Sequence, residues 1–396
     1  MKKNELKQRI IVDAKELESY IISSRRHIHT YPETLFEEES TARYVESELH
    51  KIGIKTKRII KTGVMGEIQG AREGKTIALR ADIDALNISE DTDLPYQSKN
   101  PGKMHACGHD AHTAMLLGAA QILYNYRKHL EGSIKLIFQP AEEGGGGAKL
   151  IVDAGHLKNV EAVFGLHVWS PLPSGVIGIR KGPVFASSDR FKIQITGKGG
   201  HAAAPHKTFD PTSVMVDIYN ALQKLISREV DPFEPCVLSL PVFQASEAHN
   251  IIPKQSVIRG TLRSMNPNIR KFLMKRIIDV VQGYSSAWRC TGKVDFDPMA
   301  YPAVINDEMT VKKISEILKD LENVQMMDQS MVGEDFAFYL QQTKGALLTL
   351  GIRNESKGII YPLHHPKFQV DESILWKGTA TYSILGFYSF FAKDGE

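Results

Sequence analysis

The stretch Met104-His105-Ala106-Cys107-Gly108-His109-Asp110-Ala111-His112 decides how the rest of this sequence is read. Three imidazoles, one thiol and one carboxylate stand together here, and Gly108 permits a sharp turn between Cys107 and His109. Thiolate and imidazole are the softer side-chain ligands for zinc-class ions, and carboxylates complete such sites. Apolar residues follow at once: Ala114, Met115, Leu117, Gly118, Ala119, Ile122 and Leu123 predict a buried helix starting near His112. The cluster is therefore expected in a loop feeding a helix N-terminus, where an anionic thiolate is favoured. A structural cysteine beside surface histidines is the plainer reading of an isolated Cys-x-His pair. The polar density just before an apolar helix favours a metal site.

Outward from the cluster, three short apolar runs each end in ligand-type residues. Thr76 to Leu79 leads into Arg80-Ala81-Asp82-Ile83-Asp84. Ile134 to Phe138 leads into Gln139-Pro140-Ala141-Glu142-Glu143 and the glycines 144–147, which alone read as a flexible loop. Ala162 to Leu166 ends in His167. In open α/β sheets the carboxyl ends of strands line the ligand crevice, so Asp82, Glu142, Glu143 and His167 can converge on the Cys107 loop. Further out, Leu6, Ile10, Ala14, Leu17 and Ile21 recur at helical spacing, and a helix from about Glu38 closes at Gly53.

After Pro183 the pattern of elements changes. Strands near Phe191–Ile195, Val237–Phe243, Val257–Leu262 and Val294–Phe296 alternate with helices near 211–228 and 268–287. That βαββαβ order is the split-βαβ pattern of a ferredoxin-like unit. The α/β pattern of the N-terminal half then resumes with a helix near 308–321, a strand at Ala346–Leu350 and a last helix from Leu375 to Phe391. The expected fold is a mixed-sheet α/β/α domain (1–186 and 301–396) interrupted by an inserted ferredoxin-like α+β domain (187–300). Tyr361-Pro362-Leu363-His364-His365-Pro366 lies in the second part of the first domain, where the prolines stiffen the turn around two adjacent histidines. An isolated pair of this kind is more often surface histidines than ligands.

Composition narrows the function classes. A chain of 396 residues is long enough for two cores. A hydrophobic content of 42%, a charged content of 24% and a net charge of +3 describe an ordinary globular protein, with no basic block for a nucleic acid or a membrane surface. Cys107, Cys236 and Cys290 make no disulfide framework, which suggests a reducing compartment. The N-terminus lacks the apolar run of a signal peptide, and no stretch reaches membrane-spanning length. A cytoplasmic location is the expectation.

The motifs resemble the M20 metallopeptidase/amidohydrolase family, in the subfamily of aminoacylases, hippurate hydrolases, indole-acetyl-amino-acid hydrolases and some carboxypeptidases. They are RRHIHTYPE at 25–33, LRADIDAL at 79–86, MHACGHDAHTAMLLGAA at 104–120, FQPAEEGGGGA at 138–148, GLHVW at 165–169, GKGGHAAAPH at 197–206, HNIIP at 249–253, GTLR at 260–263, GEDFAFY at 333–339 and HHPKFQVDE at 364–372. Asn87 stands where that family usually has proline, and Val332 where glycine is common. The resemblance implies two divalent ions per subunit, zinc first with manganese or cobalt as alternatives, held by Cys107, His109, Glu143, His167 and His364. Glu142 is assigned as the general base toward a metal-activated water, and the exchanged assignment of the Glu142–Glu143 doublet stays open. Asp82 and Asp110 are read as partners orienting a ligand or the water, with Asp110 also a possible ligand. His27, His29, His105, His112 and His365 are left as structural or outer residues.

The implied activity is hydrolysis of the amide bond of an N-acyl amino acid or of the C-terminal peptide bond of a short peptide. In the inserted domain, Arg263 is the candidate for the substrate carboxylate, because an Arg fork matches a carboxylate bidentately. His201 and Asn250 are candidates for the oxyanion or substrate carbonyl; the resemblance also implies that 1–186 and 301–396 form the catalytic domain and 187–300 a lid and dimerisation domain, so a homo-oligomer (dimer or tetramer) is expected. A cysteine hydrolase with Cys107 as nucleophile leaves the glutamate pair without a role. A catalytically silent metal-bearing binding or scaffold protein on the same fold is the alternative from another class.

Overall fold

The apolar runs on both sides of the cysteine–histidine stretch become strands of one eight-stranded sheet in the computed structural model, which describes residues 2–391. The strand order is Thr56–Ile59, Gly63–Gln69, Glu131–Gln139, Arg72–Asp82, Val160–Pro173, Lys344–Arg353, Ile177–Ile179 and Val324–Met326. The four central strands run parallel to one another. The hairpin Thr56–Ile59/Gly63–Gln69 joins them antiparallel. Parallel strands are buried on both faces, which is why Ile77-Ala78-Leu79 and Ala346-Leu347-Leu348 read as unbroken apolar runs.

Helix His109–Asn125 is buried nearly all round and packs on the sheet, on helix Glu18–Thr30 and on helix Leu375–Gly386. A helix apolar on every side has to lie inside, and each of its buried leucines and isoleucines contributes roughly 1.5–3 kcal/mol by leaving water. The N-terminal periodicity predicts one long helix; two form, Lys3–Glu16 and Glu18–Thr30, with the same stripe of Leu6, Ile10, Ala14 and Ile21 fully buried.

The chain divides into two compact units. One comprises the described residues up to Gly182, Ile305–Asp328 and those from Phe338 on; the other is Pro183–Val304 with Gln329–Ala337. Segment Gln329–Ala337 thus groups with the second unit and not with its sequence neighbours on either side.

In the second unit, strands Asp189–Thr196, Cys236–Gln244, Gln255–Ser264 and Thr291–Phe296 alternate with helices Pro211–Glu229 and Pro267–Ala287 in βαββαβ order. All neighbours pair antiparallel, and the first and third strands sit at the centre, as a split-βαβ unit requires. Asp210 and Asn266 cap the two helices by accepting the N–H of Thr212 and Asn268, each ahead of a proline at the first turn. Ile193, Ile195, Ile218, Leu222, Ile258, Leu262, Leu273 and Ile277 form that unit's core.

Candidate metal centre

Gly108 turns the chain with φ +85°, and a Cβ there would stand 2.3 Å from Val168 Cγ2, so only glycine fits. Its carbonyl accepts from the N–H of Ala111 and His112, which starts the helix at His109, a turn earlier than the apolar pattern alone places it. His167 also sits differently from expectation. Its strand does not end at Leu166 but runs on to Pro173, because Lys344–Arg353 pairs along it with Thr349 opposite His167. A second sheet neighbour, far away in sequence, therefore holds His167.

Within this unit the proposed ligands come together. Cys107, His109 and His167 offer ligand atoms within 4.8 Å of one another, and so do Cys107, Glu143 and His364. The two triads share Cys107. Hydrogen bonds fix the histidine tautomers. His109 Nδ1–H donates to the Asp84 carbonyl at 2.9 Å, and His167 Nδ1–H to the Val168 carbonyl at 2.6 Å. Each ring thus turns its Nε2 lone pair into the cluster, the arrangement a metal-ligating histidine needs. Nε2 of His109 is buried with no hydrogen-bond partner among the described residues. Oε1 of Glu143 is likewise buried without a hydrogen bond and has His364 Nε2 beside it at 3.2 Å. Orphaned buried acceptors are rare in folded chains, and two facing each other around a thiol fit a cation between them. His112 differs: its Nε2 accepts the Val168 N–H and its Nδ1–H faces Asp82, so neither nitrogen is open.

The glycines after the glutamate doublet are no flexible loop. Gly144 and Gly146 have φ +96° and +65°, while a Cβ at Gly145 or Gly147 would collide with Ala141 Cβ or the Pro140 carbonyl. The tight winding brings both glutamates to the cluster; Glu142 is 6% exposed, and its carboxylate stands within 4.8 Å of both His109 and Glu143. His364 takes φ +64°, its N–H donating to the Ala106 carbonyl, whereas His365 turns away and stacks on Tyr361.

Asp84 is the functional residue that sequence reasoning passed over. One carboxylate oxygen accepts the Glu143 N–H at 2.9 Å, and the other stands 3.2 Å from His109 Nδ1, so a single side chain aims two candidate ligands. The available signal was its spacing, two residues beyond Asp82 at a strand end. Asp82 lies between His112 and Arg80, 3.6 Å from His109 Nε2, which suits a supporting role. Asp110 stands in none of these ligand groups, and its Oδ2 pairs with His29 at 2.8 Å and with Arg25 at 3.0 Å.

Electrostatics follow from that geometry. Burial works against a charged His109, but the anions of Asp82, Asp84 and Glu143 outweigh it and push the metal-free imidazole up to about 10. Burial, reinforced by Glu143, Glu142 and Asp82, holds the Cys107 thiol well above its ordinary value. The helix N-terminus therefore does not by itself make a thiolate here. Burial lowers His167 and His112 to about 4, with Asp82 opposing.

His29 gives a pH-dependent stability. Burial opposes its charge, but with Asp110 on one nitrogen and Glu90 at 3.1 Å on the other its pKa is raised. A raised histidine contributes stability in full below its unfolded value of about 6.5 and loses it as pH rises through the folded value. His29→Gln should therefore lower Tm most below pH 6.5, with the difference from wild type shrinking at alkaline pH. A pH-independent Tm difference between the two proteins would contradict this.

The remaining predicted residues belong to the second unit. His201 and Asn250 are brought side by side, because Gly200–His201 pairs antiparallel with Ile251–Ile252 and the Ala202 N–H donates to the Asn250 carbonyl at 3.0 Å. Both side chains are exposed. Arg263 lies near the end of strand Gln255–Ser264, half-buried, and no carboxylate among the described residues is within ion-pairing distance of its guanidinium. Burial and Arg190 lower its pKa, with Asp189 opposing.

Residues 78–385 match the profile of peptidase family M20/M25/M40. The chain is 42% identical over 388 residues to thermostable carboxypeptidase 1 of Saccharolobus solfataricus, covering 96% of this chain and 98% of that one. It is 40% identical to the N-acetyl-L-cysteine deacetylase of Bacillus subtilis, over 93% of this chain and 88% of that protein. A Bacillus subtilis crystal structure described as a dinuclear metal-binding peptidase of the M20 family superposes with a TM-score of 0.83 at 35% identity, covering 94% and 98% of the two chains.

Proposed function

The chain belongs to peptidase family M20/M25/M40, and from that premise we propose that it is a two-metal amide hydrolase acting on N-acyl amino acids or on the C-terminal peptide bond of short peptides. One observation carries the reading: two triads sharing Cys107, with the orphaned His109 Nε2 and Glu143 Oε1 facing a common space beside Glu142. Cys107, His109 and His167 would hold one dication and Cys107, Glu143 and His364 the other; a thiolate with imidazoles suits zinc before manganese. When bound, the pair supplies Lewis-acid polarisation of the scissile carbonyl and lowers the pKa of a water.

The chain's own residues do the rest. Glu142 takes a proton from the attacking water and returns it to the leaving amine, the task of a buried carboxylate that neither triad needs as a ligand. Asp84 fixes the directions of His109 and Glu143, and Asp82 keeps His112 in one tautomer. Arg263 receives the substrate carboxylate, and His201 and Asn250 donate to the substrate carbonyl. Cys107 acts as a ligand and not as a nucleophile, because it is the member that both triads share.

A panel of N-acetyl, N-benzoyl and benzyloxycarbonyl amino acids and short peptides tests this. Wild-type protein should cleave those with a free α-carboxylate, and Arg263→Ala should raise KM for them by about 10- to 100-fold, the worth of a charged hydrogen bond. The matching amides, which offer only a neutral hydrogen bond, should change less, by about 2- to 10-fold. Equal losses on both sets would remove Arg263 from recognition, and no cleavage of any member with metals supplied would remove the reading itself.

A further inference from the structure

Ala141, the residue just before the glutamate doublet, is left-handed at φ +53° and ψ +47°, a conformation unfavourable for any residue with a Cβ. Such a residue persists only where its surroundings over-determine it. Here the determinant comes from far away in sequence. The Ala141 N–H donates to Glu38 Oε1 at 3.0 Å, and the other oxygen of Glu38 accepts the Thr62 hydroxyl. Glu38 is fully buried, and no cation pairs with it among the described residues. A buried carboxylate held by backbone amides and a hydroxyl, with no cation, is an expensive way to join two segments.

A second carboxylate completes the pattern. Asp84 takes the Glu143 N–H. The amides on either side of Glu142, those of Ala141 and Glu143, are thus each held by a separate buried acid, one at the edge of helix Glu39–Lys51 and one beyond strand Arg72–Asp82. We propose that Glu38 is a positioning residue for the hydrolysis: by holding the Ala141 amide it keeps that residue left-handed and so points Glu142 at the proton it moves while Glu143 faces the ligand cluster. Glu38 belongs to none of the candidate ligand groups, and the proposal rests on Glu142 being the base.

The test compares Glu38→Ala, Glu38→Gln and Glu38→Asp with Glu142→Gln, reading kcat, KM, metal content and Tm. A displaced catalytic group loses about 10²-fold in rate. Glu38→Ala should therefore lose kcat on that scale with KM and two-metal content retained. Glu38→Gln, whose amide oxygen can still accept the Ala141 N–H, should recover most of it. The decisive variant adds Ala141→Gly to Glu38→Ala: glycine takes the left-handed conformation without strain, so part of the lost kcat should return. If Glu38→Ala fails to fold, Glu38→Asp, one methylene short of the amide, should show the same kcat loss with KM unchanged. A full kcat in Glu38→Ala or Glu38→Asp overturns the proposal, as does a loss that Ala141→Gly leaves untouched. An active Glu142→Gln overturns instead the assignment of the base, whatever Glu38 does.

Discussion

Glu142→Gln is expected to lower kcat by about 10²–10⁴-fold, the range for removal of a general acid–base group, while both metals stay bound. Glutamine keeps the size and one acceptor oxygen but cannot take or return a proton. Glu142 stands between Ala141 and Glu143, whose amides are fixed by Glu38 and Asp84, so the substitution leaves the backbone path intact. Glu143→Gln should behave oppositely. Its oxygen is the orphan facing His109 and His364, and loss of the anion should empty at least one metal position. Elemental analysis beside steady-state kinetics separates the two. An active Glu142→Gln together with a dead, fully loaded Glu143→Gln would exchange their roles.

Metal removal is expected to abolish activity, and Cys107→Ala is expected to do so in a way no added metal repairs, since both triads lose their shared member. The loading reaction has its own signature. At pH 8 the metal-free centre holds a proton on His109, which titrates at about 10, and another on Cys107, which burial keeps a thiol. Ligands must shed their protons to bind, so loading should release about two protons per chain. Apparent affinity should climb as pH rises toward 10, because fewer protons then have to be displaced. Titration calorimetry in buffers of different ionisation enthalpy counts those protons; Cys107→Ala should remove about one of them. No proton release, or full activity after exhaustive chelation, would contradict the two-triad centre.

Local signals carried much of this. The Cys107 cluster, the glutamate doublet and His167 are legible because strands deliver polar residues beside apolar runs, and the βαββαβ order is legible because its elements alternate cleanly. What escaped depended on partners distant in sequence. The strand through His167 runs past Leu166 only because Lys344–Arg353 lies beside it. The helix begins at His109 because Gly108 can adopt a left-handed turn against Val168. Asp110 pairs with Arg25 and His29, which belong to an N-terminal helix. The glycines after Glu143 look like slack in one dimension and prove to be a tight winding in three.

The position of strand Lys344–Arg353 also governs the order in which this protein can assemble. It lies between Val160–Pro173 and Ile177–Ile179, two strands that a three-residue turn joins in sequence. A ribosome delivers the whole second unit before it delivers that strand, so a nascent chain carries the long apolar Val160–Pro173 strand with one edge unpaired throughout that interval. Open apolar strand edges are templates for pairing with other chains. His364 emerges later still. Most of the sheet, the inserted unit and most of the ligands thus exist before either the edge is sealed or the second triad is complete, and the cell's burden of guarding this chain falls in that interval.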